Sequence, residues 1–255
     1  MNLLIWQAIY LFTAAALLPV SPILYLQGQR TRRRVGLLPE AAGARSGFSG
    51  SGESPACLLV LGESTVAGLG ARTHETALAG QFAARLSRRL ERPVEWTVIG
   101  KNGVTALRTI DELLPLIPEK QFDYILLGLG GNDVIKLSSP RKWRRDMLRL
   151  IDLLRREHPA AGIFITNCPM INASPILPHP IKFFLWELSK LHDANIREFT
   201  RGLDRVYYYH QPRRLKIEGF FADGIHPSEK GYSDWSDAMM EFFDETYKWQ
   251  HRKPR

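Results

Sequence analysis

From Cys57 onward, short apolar runs alternate with segments whose apolar residues recur every three or four positions. Residues 58–61 read as a buried strand, and 94–99, 124–129, 163–167 and 205–209 as four further strands. Between them lie helical stripes. Leu78, Phe82, Leu86 and Leu90 share one face, with Arg85, Arg88 and Arg89 elsewhere. Leu107, Ile110, Leu114 and Ile117 form a second stripe, and Trp143, Met147, Leu150 and Leu154 a third. The third opens at Ser139-Pro140, a capping serine followed by proline in the first turn. A helix over 183–199 and a last one capped by Ser228, carrying Trp235, Met239 and Phe242, complete the set. Strands alternating with helices predict an α/β domain with a parallel sheet covered on both faces. Ligands of such sheets bind beyond the carboxyl ends of the strands.

The N-terminus follows a different pattern. No charged side chain occurs from Asn2 to Gln29, and residues 3–26 are apolar enough to cross a bilayer as a helix that Pro19 and Pro22 would kink. Residues 1–29 are therefore expected to be a membrane anchor. A cleaved signal peptide is the alternative, with Ala14-Ala15-Ala16 as a small-residue site, although no basic residue precedes the apolar stretch. Residues 30–55, basic and then rich in Gly and Ser, read as a linker, 56–250 as the globular domain and 251–255 as a basic tail.

Charge sharpens this division. The net charge is +8, yet Arg30, Arg32, Arg33, Arg34, Arg252, Lys253 and Arg255 sit at the two ends of the chain. Without these seven, 34 basic residues fall to 27 against 26 acidic ones. A neutral body with basic ends points to a membrane surface and away from nucleic acid. The arginines follow the apolar stretch, which places the domain on the cytoplasmic side by the positive-inside bias. A periplasmic or secreted protein is the alternative if the stretch is cleaved. Cys57 and Cys168 fall at opposite ends of their strands, which argues against a disulfide. No Cys/His spacing suits a metal, and no cofactor is expected.

Four polar groups follow strand ends and so face one rim: Gly62-Glu63-Ser64, Lys101-Asn102-Gly103, Gly130-Gly131-Asn132-Asp133 and Asp223-Gly224-Ile225-His226-Pro227. Acyl transfer needs a nucleophile, a base, a group orienting the base, and donors for an oxyanion. Ser64 supplies a hydroxyl and His226 can accept its proton. Asp223, three residues earlier, can orient the imidazole. The backbone N–H groups of Ser64 and Gly103, with the Asn132 side-chain amide, can form the oxyanion hole. Each group alone has an ordinary reading: Ser64 a helix cap, Asn132 and Asp133 turn residues, Asp223 to Pro227 a turn. Their coincidence on one rim carries the catalytic reading. His74 is a further candidate to line the pocket, and the remaining histidines show no metal spacing.

These four blocks resemble those of the SGNH hydrolases, the GDSL-like esterases and lipases, in order and spacing over residues 58–243. The resemblance implies a three-layer α/β/α, flavodoxin-like fold with a five-stranded parallel sheet ordered 2-1-3-4-5. It also implies metal-independent hydrolysis of esters or thioesters. Glu63 stands where the family usually has Asp, which bears on the anchoring of this loop and on substrate preference.

On the substrate side, Met170 to Pro178 and then Ile181, Phe183, Phe184 and Trp186 form an apolar segment after the fourth strand. It suits an acyl-chain pocket or a lipid-facing surface, with core packing of the helix as the ordinary alternative. Glu63, Asp133, Ile171 and Ile176 are the candidate substrate contacts. The expected partner is a small-molecule or lipid ester, with membrane contact through residues 3–26 and no nucleic acid. A deacetylase of envelope carbohydrate and a non-catalytic membrane-associated binding protein are the competing functions.

Overall fold

The computed structural model describes residues 3–36, 38–212 and 217–247. The basic tail 251–255 lies outside them. At the centre is a six-stranded sheet ordered β1-β3-β2-β4-β5-β6. Its strands are β1 (Ser46–Ser49), β2 (Ala56–Gly62), β3 (Val94–Gly100), β4 (Tyr124–Gly128), β5 (Gly162–Ile165) and β6 (Val206–Tyr208). Strands β2 to β6 pair in parallel, and β1 runs antiparallel on the outer edge of β3.

The expected five-stranded, all-parallel sheet is thus corrected to a mixed six-stranded one. The added strand comes from the Gly/Ser-rich stretch. Its composition signals a loop, and it joins the sheet through backbone pairing that side chains do not announce. Gly47 matters there, because a Cβ on it would overlap the buried Trp96 indole.

Alternation along the strands sorts the core into two layers. Leu59, Leu61, Ile125, Leu127, Ile163 and Ile165 face helices α4 (Ala106–Glu112), α6 (Pro140–Glu157) and α7 (Ile181–Thr200). Leu58, Val60, Leu126 and Phe164 face α3 (Leu78–Leu90) and α8 (Glu229–Thr246). A short helix α5 (Gly131–Ile135) follows β4. The stripe read over 107–117 is broken: α4 ends at Glu112 and a 3-10 turn spans Leu114–Leu116. Pro115, which has no N–H to continue the helix, explains the break. Ser139 and Ser228 cap α6 and α8 as expected, accepting from Lys142 N and Gly231 N.

Residues 3–35 form one helical run, α1 (Leu3–Leu17) and α2 (Ser21–Val35) joined by a 3-10 turn holding Pro19. It is long and apolar enough to cross a membrane. Both ends of the run also touch the body of the protein. Trp6 and Gln7 are buried, and Gln7 Oε1 accepts from Arg141 N at the start of α6 (3.1 Å). Tyr10 donates to Leu137 O (2.7 Å), and Gln27 Nε2 donates to His179 O (3.0 Å). Leu4, Leu11, Phe12, Leu18, Ile23 and Leu26 remain exposed.

Phe164 is the hub of the α3/α8 layer, with ring centroids of Phe243, Tyr247, Tyr207, Tyr124 and Phe82 at 4.6, 5.2, 5.7, 6.1 and 6.3 Å. Phe164→Ala is expected to lower the unfolding free energy by about 3–5 kcal/mol. Urea denaturation of the purified variant checks this, and a loss below about 1 kcal/mol would mean that the layer closes over the gap.

Candidate active site

The carboxyl ends of β2, β3 and β4 are brought closer than side chains would allow. A Cβ on Gly62, where φ is +153°, would overlap Gly128 O. One on Gly100 would lie 2.5 Å from Ala67 N. The chain leaves β2 at Gly62 and turns at once, with Val66 N and Ala67 N both donating to Glu63 O (2.9 Å each). This tight turn holds Ser64 at the rim, 8% exposed. Among the described residues the Ser64 hydroxyl has no hydrogen-bond partner.

Glu63 and Asp133 are buried and tie three of the rim loops together. The Glu63 carboxylate accepts from Gly131 N (2.7 Å), Asn132 N (2.8 Å) and Asn132 Nδ2 (2.6 Å). Burial pushes Glu63 up to about 7, against these N–H donors, which favour its charged form. Asp133 accepts from Ala106 N (2.9 Å) and from Ser138 Oγ (2.9 Å), and burial raises its pKa as well. Glu63 and Asp133, expected to contact substrate, are thus placed beneath the rim as ties between its loops. Their oxygens are committed to holding loops, a role readable only once those loops meet in space.

Asn132 sits in α5, whose entry requires Gly130 at φ +124°. An amide nitrogen carries two hydrogens. One Nδ2 hydrogen is taken by Glu63, which leaves the other available at the rim. Gly103 has φ +82°, and a Cβ there would meet nothing within 4 Å, so this position borders open space. Its carbonyl is held from behind by Lys136 Nζ (2.6 Å) and Arg108 Nη1 (3.2 Å).

The fourth block is a closed loop. Phe221 bridges Pro227, Ala222 N donates to His226 O (2.9 Å) and Ser228 N to Phe220 O (2.7 Å). Within it His226 Nδ1 lies 2.8 Å from Asp223 Oδ2. The other Asp223 oxygen accepts from Ile225 N (2.8 Å) and His226 N (2.7 Å). Burial opposes the Asp223 charge, but the His226 contact and these backbone donors prevail and hold its pKa below the usual value. An ionised Asp223 fixes a proton on Nδ1 and leaves Nε2 as the basic nitrogen. The loop lies against the Ser64 turn: a Cβ on Gly70 would overlap Pro227 O, and Tyr232 donates to Leu69 O (2.7 Å).

The apolar segment divides. Ile171 is buried in a small cluster with Val134 and Leu185, against which Trp186 packs. That is core packing, in which Ile171, expected to contact substrate, supports Val134 of α5. Ile176 is half-buried and packs on Gly224, where a Cβ would come within 2.7 Å of it, while Ser174 Oγ donates to Gly224 O (2.7 Å). The segment thus braces the His226 loop. Phe183 is 50% exposed, and Ile135 and Leu137 are exposed beyond Asn132. His74 is fully buried and does not line the rim. Cys57 and Cys168 are free thiols.

Solved structures share this fold at low identity. A family two carbohydrate esterase from Clostridium thermocellum, in complex with cellohexaose, superposes with a TM-score of 0.57 at 17% identity, covering 78% of this chain and 67% of that one. A carbohydrate esterase family 2 enzyme with a carbohydrate binding domain, from Corynascus thermopiles (Myceliophthora fergusii), gives 0.55 at 13%, covering 78% and 69%. An acetyl xylan esterase from the rumen bacterium Butyrivibrio proteoclasticus gives 0.51 at 14%, covering 75% and 64%. This chain thus spans about two thirds of their length. No curated protein matches it. The sequence model of the GDSL-like lipases and acylhydrolases matches residues 60–233, which contain all four rim blocks, and the chain belongs to the GDSL-like Lipase/Acylhydrolase family, a family of carboxylic ester hydrolases.

Proposed function

We propose that the protein is a metal-independent serine hydrolase that cleaves lipid-derived esters or thioesters through an acyl-enzyme on Ser64. The observation that carries this reading is the Asp223–His226 pair, closed at 2.8 Å in a loop packed on the Ser64 turn. His226 Nε2 takes the Ser64 proton as Oγ attacks the ester carbonyl, and returns it to the leaving alcohol or thiol. Water then enters by the same base and releases the acid. The oxyanion is met by the N–H groups of Ser64 and Gly103 and by the free Asn132 Nδ2 hydrogen, aimed by Glu63. The Ser64–His226 hydrogen bond is one that closes in the substrate complex.

A lipid source is supported by the apolar run 3–35 docked on the domain and by exposed Ile135, Leu137 and Phe183 near the rim. The apolar part of the run, residues 3–26, serves as an anchor, with the domain on the cytoplasmic side by Arg30, Arg32, Arg33 and Arg34 that follow it. A second reading, deacylation of carbohydrate, draws on the carbohydrate esterases that share the fold. Turnover of acetylated oligosaccharide with no turnover of long-chain monoacylglycerol would favour it.

The full chain is expected to react with a fluorophosphonate probe, and Ser64→Ala is expected not to. If neither is labelled, the protein binds ligands without catalysis. Asn132→Ala is expected to fold normally and to lose about 10²–10³ in kcat, the cost of one oxyanion donor. Full activity in that variant would remove Asn132 from the oxyanion hole.

Glu63 adds a pH dependence. Its folded pKa of about 7 lies above the ordinary 4.5, so folding favours the protonated form. That stabilisation is fully present below about pH 4.5 and lost as pH rises through about 7. The difference in unfolding free energy between wild type and Glu63→Gln should shrink by about 3 kcal/mol across this window in urea titrations. A flat difference would mean that the three N–H donors keep the carboxylate charged throughout.

A further inference from the structure

Between α1 and the rim lies an open cavity of about 420 Å³ lined by Tyr10, Thr105, Arg108, Lys136, Leu137, Ser138, Ser139 and Lys142. Three cations and no carboxylate form its wall. Two of the cations are neutralised from behind, Arg108 by Glu112 (2.5 Å) and Lys142 by the buried Asp146 (2.7 Å). Among the described residues Lys136 has no carboxylate partner. Its contact is Gly103 O, at 2.6 Å.

The free donors of this wall are numerous. An ammonium carries three hydrogens. Lys136 commits one to Gly103 O and Lys142 one to Asp146. Thr105 Oγ1 and Ser139 Oγ accept from Arg108 N and Lys142 N, so their own hydroxyl hydrogens have no acceptor among the described residues. Several donors converging with a net positive charge suit a group with three acceptor oxygens better than a carboxylate with two. The cavity also adjoins the proposed chemistry, since Lys136 and Arg108 both grip the Gly103 carbonyl. Tyr10 closes its outer side from the apolar run, which puts the cavity where a membrane lipid would enter.

We infer that this cavity binds a phosphate-bearing group, and that it holds the head-group phosphate of a lipid ester whose carbonyl lies at Ser64. The first half stands on the cavity alone; the second rests on the esterase reading above. A phosphate gripped by Lys136 would also bear on the Gly103 loop, so that a charged head group fixes the loop carrying an oxyanion donor.

The test uses the full chain in neutral detergent. Ser64→Ala protein is titrated with glycerol 3-phosphate and with inorganic phosphate, with and without Lys136→Gln or Lys136→Arg. Lys136 is exposed, so neither change threatens the fold. Lys136→Gln should weaken glycerol 3-phosphate binding about tenfold, the loss of one charge-assisted hydrogen bond, and Lys136→Arg should restore it. In the Ser64 enzyme, Lys136→Gln should lower kcat/KM for lysophosphatidylglycerol about tenfold more than for monoacylglycerol, through KM. No phosphate binding, or binding that ignores Lys136, overturns the site. Lys136-dependent binding with an unchanged ratio of the two esters overturns the head-group half and assigns the cavity to free phosphate. If the wild type binds glycerol 3-phosphate but hydrolyses neither ester, the esterase reading fails while the phosphate site stands.

Discussion

The rim of this protein depends on one buried carboxylate. Glu63 takes three N–H donors from Gly131 and Asn132 at 2.6–2.8 Å, and in doing so joins the loop after β2 to the loop after β4. A buried carboxyl is costly unless its oxygens are satisfied. Here the donors come from a backbone turn and from Asn132, the side chain proposed as an oxyanion donor. Asp133 repeats the device one step on, joining the Asn132 loop to Ala106 and so to the Gly103 segment. Each acid adjoins a proposed catalytic residue in sequence and reaches the next loop in space. Ser64, Asn132 and Gly103 are thereby held relative to one another before any substrate arrives, which is what oxyanion stabilisation requires.

Asp223 shows the opposite balance with the same chemistry. Glu63 is pushed up by burial despite its donors, whereas Asp223 is held down because His226 and two backbone N–H groups outweigh its burial. The difference lies in what each carboxylate faces. Asp223 faces an imidazole that gains a proton during the proposed cycle, and a charged Asp223 favours that state. Glu63 faces only neutral amides, which can orient but cannot compensate a full charge. In the proposed mechanism one acid therefore serves proton transfer and the other serves geometry.

The helical run 3–35 packs on the rest of the protein. Its contacts at Gln7, Tyr10 and Gln27 fall near the starts of α6 and α7 and beside Leu137, the same side of the domain as exposed Ile135 and Phe183. The unpaired apolar face of the run and the apolar margin of the rim therefore lie close together. Burying both in one lipid surface removes more apolar area from water than burying either alone.

Much of this was legible in the chain itself. Local periodicity specified the helices, and short apolar-rich runs specified the parallel strands, because each depends on neighbours in sequence. Blocks at 62–64, 103, 130–133 and 223–227 could be assigned to one rim because parallel strands all present the same end. What tertiary structure alone decided depends on distant partners. Strand β1 has no side-chain signal and forms because the edge of β3 offers unpaired backbone groups. Ile171 looked like a pocket residue and packs in the core instead, since an apolar side chain does not declare which apolar neighbour it meets. Glu63 and Asp133 looked like site residues and tie loops together, because the donors to Glu63 lie 68 or 69 positions away along the chain and the Ala106 donor to Asp133 lies 27 away. Residue types and order set the available chemistry, the local Asp223–His226 pair included; the packing of loops that are far apart in sequence decided that Glu63 and Asp133 turn to donors of other loops.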